Sequence, residues 1–333
     1  MGPKTVPVGQ GAVQAAQRMA PTQVALALRE YGIYFALLVV VAGFSVIAPN
    51  FATMRNLILV LLQVSVTGIM AIGMLFVLLS GGIDLSVGSV LAVAGMISGM
   101  YAQREPTAAN IVLATAIPVL IGVACGLFNG TLVAWAKVPP FIVTLGTMYA
   151  YRGFVVWYRV NPIYNLQPWY RMIGQGTLGP IPLPVIIFFT VAVAAAATLN
   201  LTRFGRYVYA VGGNQEAARA AGINISVVKL SVYTISGLLS GLAGLVFTSR
   251  LGAAQATSGT GFEMIAIASV VVGGASLFGG RGSVGKTMVG ALIIQFLQNG
   301  LVMLNVPSTI QQIIIGIIII GAVWVDSVLR RER

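Results

Sequence analysis

Ten apolar runs take up most of this chain, at approximately 32–49, 57–80, 85–101, 108–136, 139–158, 183–200, 230–250, 263–278, 287–303 and 309–326. Crossing a hydrocarbon core about 30 Å thick takes about 20 mainly apolar helical residues. Every backbone N–H and C=O inside lipid must find its partner within the protein, so runs of this length are expected to be helices. The pattern predicts an all-α polytopic membrane protein with about ten transmembrane helices in a single domain over 32–328. Gly32 to Ala48 is long for a signal-peptide core and lacks a clear cleavage site. It reads as a retained first helix after a polar tail, 1–31.

Composition strengthens this reading: 58% of the residues are hydrophobic and only 8% are charged, where a soluble domain carries roughly a quarter. The net charge of +12 would suggest nucleic acid on a soluble protein. Here most of the basic residues lie between apolar runs, where they set orientation and meet anionic lipid headgroups, so nucleic-acid binding is set aside. With the N-terminus inside, the inner segments hold 13 Lys and Arg and the outer segments five, with Arg152 inside the fifth run. By the positive-inside rule both tails, 1–31 and 329–333, are expected to be cytoplasmic. Cys125 is the only cysteine and histidine is absent, so neither an internal disulfide nor a zinc cluster can be built.

Two connections exceed simple turns. The outer one, 159–182, contains Pro162, Pro168, Trp169, Pro180 and Pro182 and reads either as a plain connector or as an ordered cap that receives a partner or forms the mouth of a pathway. Just before it come Tyr149, Tyr151, Phe154, Trp157 and Tyr158, an interfacial aromatic belt or a sugar-facing surface, with Arg152 expected to snorkel or pair outward. The inner connection, 201–228, includes Gly213-Asn214-Gln215-Glu216-Ala217-Ala218-Arg219-Ala220-Ala221-Gly222, a short helix signal too polar to span. It is either an amphipathic connector or a helix that enters a groove of a soluble partner.

Glycines four apart, Gly95 and Gly99, Gly122, Gly126 and Gly130, and Gly237 and Gly241, are spaced for close helix contact. Gly81-Gly82-x-x-Leu85-x-x-Gly88 recurs as Gly273-Gly274-x-x-Leu277-x-x-Gly280. Glycine-interrupted spans in matching places mark candidate pathway elements, here Gly81, Gly82, Asp84, Ser86, Gly273 and Gly274. Asp84 either caps a helix starting at Leu85 or contacts gate or solute. Glu263, three residues after Thr260, forms a capping box or stands as a carboxylate at the outer mouth. Gly280 to Thr287 matches a phosphate-loop pattern, but it leads straight into an apolar run with no room for a nucleotide fold, so it is read as a glycine-rich turn.

Glu216-Ala217-Ala218 followed by Gly222 resembles the EAA loop of ABC importer permeases. The stretches Gly81 to Ser89, Gly205 to Asn214 and Gly259 to Glu263, in this order, resemble the ribose-type sugar permease family over about residues 35–328. The apolar-proline signature that follows the EAA motif in many importers is absent after Gly222. The resemblance implies an ABC importer permease fold in a bacterial-type cytoplasmic membrane. It also implies a second permease copy or homologue, an ABC ATPase subunit supplying two nucleotide-binding domains that carry ATP and Mg, and an extracytoplasmic solute-binding protein. No cofactor is expected on this chain. Gly213, Asn214, Glu216, Ala217, Ala218, Arg219 and Gly222 would form the ATPase-coupling loop, and Glu263, Trp157 and Trp169 are candidate contacts at the outer mouth. An ion-coupled secondary transporter is the alternative, though the acids lie mostly at expected helix ends. An intramembrane hydrolase lacks any convincing nucleophile and base pair. Pentoses, hexoses, autoinducer-like sugars and nucleosides all remain open as solutes.

Overall fold

The computed structural model describes residues 23–331. Among these residues the helices are α1 Gln23–Ile47, α2 Met54–Leu79, α3 Val87–Ala102, α4 Ala108–Ala134, α5 Pro140–Tyr158, α6 Pro168–Gln175, α7 Leu183–Leu201, α8 Arg203–Gly213, α9 Gln215–Ala220, α10 Ile225–Leu251, α11 Phe262–Val272, α12 Val284–Met303 and α13 Ser308–Arg331. A minimal antiparallel hairpin, β1 Thr177–Leu178 and β2 Ile181–Pro182, follows α6. Each apolar run contains a helix, and α2, α4, α7 and α10 are long and apolar enough to cross a membrane. Polar caps set several starts: the Thr107 hydroxyl accepts the Asn110 N–H (3.2 Å) and the Asn224 side-chain amide oxygen accepts the Val227 N–H (3.2 Å). Pro140 and Pro184 occupy first turns, where a missing N–H costs nothing.

α10 lies at the centre, packed against α2, α3, α4 and α6. Its crossing with α4 follows the glycine spacing. Gly122 lies against the Gly237 carbonyl, Gly126 against the Tyr233 carbonyl and Gly241 against the Pro118 carbonyl, leaving no space for a Cβ. A backbone approaches a neighbouring carbonyl this closely only where it carries no side chain on that face, and in lipid such dispersion contact replaces the hydrophobic drive.

The connecting segments sort to two ends of the bundle. At one end the Gly280 N–H donates to the Leu79 carbonyl (2.9 Å) and the Ser226 hydroxyl to the Ala134 carbonyl (3.1 Å). At the other end the Gln167 N–H donates to the Ala102 carbonyl (2.9 Å), and Ile163 and Ala254 exchange backbone bonds (both 2.9 Å). Among the described residues, the connections after α2, α4, α7 and α11, assigned inside from the sequence, gather at the first end, and those after α3, α5 and α10, assigned outside, at the second.

Three segments break off partway along this axis. α3 starts only at Val87, and Asp84 just before it bonds Ser236 in the middle of α10. The connection from α10 to α11 folds back from Ala254 until Gly259 touches Gly88. α11, read from the sequence as an apolar run over 263–278, is helical for only 11 residues. That is about 16 Å, half of a hydrocarbon core. Gly274, at φ +79°, turns the chain where a residue with a Cβ would be strained, so Ala275 to Phe278 continue as irregular chain and turn rather than helix. Hydropathy cannot register such a break.

Candidate functional site: a polar helix pair seated on two glycine turns

The polar inner connection folds into α8 and α9. The Thr202 hydroxyl accepts the Gly205 N–H (3.1 Å), and the Asn214 side chain accepts the N–H groups of Glu216 and Ala217 (both 3.0 Å), so the two helices meet at a capped joint. α8 buries Gly205, Val208 and Val211 on one face, and α9 buries only Ala218. Gly213, Asn214, Glu216, Ala217, Arg219 and Gly222 are exposed, so every coupling candidate except Ala218 lies on the outer side of a protrusion anchored by Ala218.

This protrusion rests directly on the glycine segments. Gly212 lies against the Leu79 carbonyl, where α2 ends, and against the Gly280 N–H. Gly279 abuts the backbones of Gly212 and Gly81, and the Tyr209 hydroxyl donates to the Gly282 carbonyl (2.9 Å). Burial there pushes the Tyr209 phenol above its ordinary range. The structure thus brings the two glycine motifs of the sequence together under one helix pair. Tyr209 and Gly212 were missed as individual contacts. Gly280 to Thr287 forms the far side of this seat, with the Ser283 hydroxyl capping α12 through the Lys286 N–H (3.4 Å).

From the seat the chain climbs into the core. The Ile83 carbonyl accepts from Thr144 (3.2 Å) and Tyr233 (3.3 Å). Asp84 is 1% exposed. One of its oxygens accepts from the Ser86 N–H (3.0 Å) and hydroxyl (2.6 Å), the other from the Ser236 hydroxyl (2.8 Å), and Asn129 donates to Ser86 (2.9 Å). The carboxylate is not the expected helix cap, because α3 starts at Val87 with Ser86 as its N-cap; it closes a turn onto Ser86 and ties the start of α3 to α10, with both of its oxygens engaged within the protein. Ser236 and Asn129 carried no sequence signal, because a lone Ser or Asn in an apolar run looks like an ordinary minor polar residue. Gly273 packs on α12, against the Lys286 carbonyl and Thr287.

The outer-mouth candidates are not brought together. Trp157 is 81% exposed on α5 beside Phe154, Trp169 packs edge-on against Tyr170 in α6, and Glu263 is half-buried next to Gly88, set back from the outer loops. The expected capping box is displaced: Gly261 is the N-cap, Glu263 accepts its N–H (3.2 Å), and Thr260 donates away to the Thr257 carbonyl (2.7 Å). The reason is Gly261 at φ +82°, which starts the helix one residue later. Arg152 does not point outward. Its guanidinium donates to the carbonyls of Ala256 (2.6 Å), Ser258 (2.8 Å) and Gly88 (3.3 Å), pinning the re-entering connection to the start of α3. Three converging carbonyls hold a charge better than an apolar interface does.

Comparison with known proteins adds a lineage to this geometry. A family model described as branched-chain amino acid transport system / permease component matches residues 56–323. The Ribose import permease protein RbsC of Escherichia coli (strain K12) is 43% identical over 308 residues, covering 90% of this chain and 94% of that protein. The D-allose transport system permease protein AlsC of the same strain is 39% identical, covering 93% and 95%. The Xylose transport system permease protein XylH of Haemophilus influenzae is 34% identical, covering 90% and 96%. No solved structure matches the chain significantly.

Proposed function

This chain belongs to the branched-chain amino acid transport system / permease component family, and we propose that it forms the sugar-conducting membrane subunit of an ABC importer. It is a transport subunit rather than an enzyme. The sugar class rests on ribose, allose and xylose permeases at 34–43% identity across about nine-tenths of the chain.

The observation that carries the mechanism is the seating of Gly212 on the Leu79 carbonyl and the Gly280 N–H. Backbone lies on backbone with no side chain between, so a push on α9 has no soft layer to deform. It passes to the end of α2 and to the turn joining α11 and α12, and along Gly81 to Asp84 toward the start of α3. In this reading the exposed face of α9 receives one of two ATPase domains, which carry ATP and Mg. An extracytoplasmic binding protein delivers the sugar to the opposite end, and a second copy or a homologue completes the pathway across a two-fold or pseudo-two-fold axis. Ten membrane helices with both termini cytoplasmic place α8 and α9 on the motor side, in a bacterial-type inner membrane. The two-ended sorting of the connections and the 13-to-5 distribution of basic residues support this orientation.

Reconstitution in proteoliposomes tests the reading: D-ribose, D-allose or D-xylose should accumulate only when ATP, the ATPase and the binding protein are all present. Accumulation by this chain alone under a proton or sodium gradient would establish an ion-coupled carrier instead.

A further inference from the structure

Five glutamines lie inside the ten apolar runs, and four of them, Gln63, Gln295, Gln298 and Gln311, line one cavity of about 330 Å3. It opens between α2, α10, α11, α12 and the start of α13, near the C-terminal end of α10 and the N-terminal end of α11, at the end away from α8 and α9. Amides are costly in a membrane core unless something bonds them, so their convergence on one space calls for an account.

Helix adhesion covers only part of it. Asn56 and Asn299 exchange two amide bonds (2.8 and 3.0 Å), a closed structural pair. Gln295 donates to the Gln63 carbonyl oxygen, which leaves the Gln63 NH2 and the Gln295 carbonyl without protein partners among the described residues. Gln298, half-buried on the next face of α12, bonds no protein group among them. The cavity thus presents free donors and free acceptors side by side. Its opposite wall is aromatic: Phe247 and Phe262 meet edge to face (centroids 5.4 Å), and Arg250 lies over Phe247 while donating to the Leu62 carbonyl (2.6 Å).

Hydroxyl groups both donate and accept, and a sugar ring adds a C–H face that sits well on an aromatic wall. Among the described residues no carboxylate lines the cavity, so an amino acid's ammonium group would enter unpaired, next to a guanidinium. The volume lies at the small end of the about 300–1,000 Å3 typical of small-molecule sites, suited to one monosaccharide with a few waters. We propose that this cavity is the sugar subsite of this chain's half of the pathway, with Gln63, Gln295 and Gln298 holding hydroxyls against the Phe247–Phe262 wall. The proposal rests on the sugar-importer reading above and adds the place and the chemistry of recognition.

The test uses the full complex in proteoliposomes with D-ribose, D-allose and D-xylose as probes. Because the Gln298 amide bonds no protein group, Gln298→Leu should fold and melt like the parent, yet the sugar moved per ATP hydrolysed should fall about tenfold, the cost of roughly one hydrogen bond. In a Cys125→Ser background, saturating sugar should slow alkylation of Gln298→Cys, and L-leucine should not. Unchanged sugar transport in both Gln298→Leu and a Gln63→Leu/Gln295→Leu double variant, with no protection by sugar, overturns the subsite and leaves the importer reading standing. A parent complex that carries L-leucine and none of the three sugars overturns both.

Discussion

At the scale of the residue, polar atoms and absent side chains do the specific work. Asp84 accepts three hydrogen bonds that join α3 to α10. Asp84→Leu leaves two buried hydroxyls and an N–H without their acceptor, on the order of 3 kcal/mol at roughly one per bond. Asp84→Asn keeps one carbonyl oxygen and should lose less. Thermal unfolding in detergent should rank parent, Asn, Leu. Gly212 makes the complementary case. Gly212→Ala drives a methyl into the Leu79 carbonyl, while its neighbour Gly213 has open space around its Cβ direction. Overpacking of this kind costs about 1–3 kcal/mol, so Gly212→Ala should lower both melting temperature and uptake. Gly213→Ala should leave melting unchanged, and equal losses in the two would remove the case for a tight seat.

At the scale of the element, α9 is the piece expected to meet the motor. Glu216 is exposed on it, and its side chain, unlike its backbone N–H, bonds no protein group among the described residues. Reversing its charge in Glu216→Lys should therefore leave melting intact and cut ATP-driven uptake about tenfold or more, the scale of one lost charged contact at an interface. Unchanged uptake together with unchanged ATPase activity would sink the coupling role. The helices themselves were legible from hydropathy because lipid makes apolar length a nearly direct reading of a span. α11 was legible only as apolar, because the turn at Gly274 depends on backbone geometry that composition does not carry. The coupling segment stood out as a polar helix between spans. Its seat did not, since Leu79, Gly212 and Gly280 lie far apart in sequence and contribute backbone atoms, which every residue has. Arg152 was misread for the same reason: its partners are three carbonyls, invisible to any pattern of side chains.

At the scale of the whole molecule, the two-ended sorting of connections makes orientation testable. In a Cys125→Ser background, Gly213→Cys should react with an impermeant thiol reagent only from the cytoplasmic side. Leu178→Cys, in the exposed outer hairpin, should react only from the opposite side. Labelling of both from one side would refute the arrangement. The glycine crossing of α4 and α10 has a consequence of another kind, for heredity. Every single-base change that converts a glycine codon into another amino acid's codon introduces a Cβ. At Gly122, Gly126, Gly237 and Gly241 that first step collides with backbone, which cannot retreat as a side chain would. Drift can rewrite the lipid-facing surfaces of these helices one substitution at a time, but at the crossing it meets a wall. A descendant could relax that contact only by changing both helices together, so divergence in this lineage should accumulate around the crossing and seldom through it.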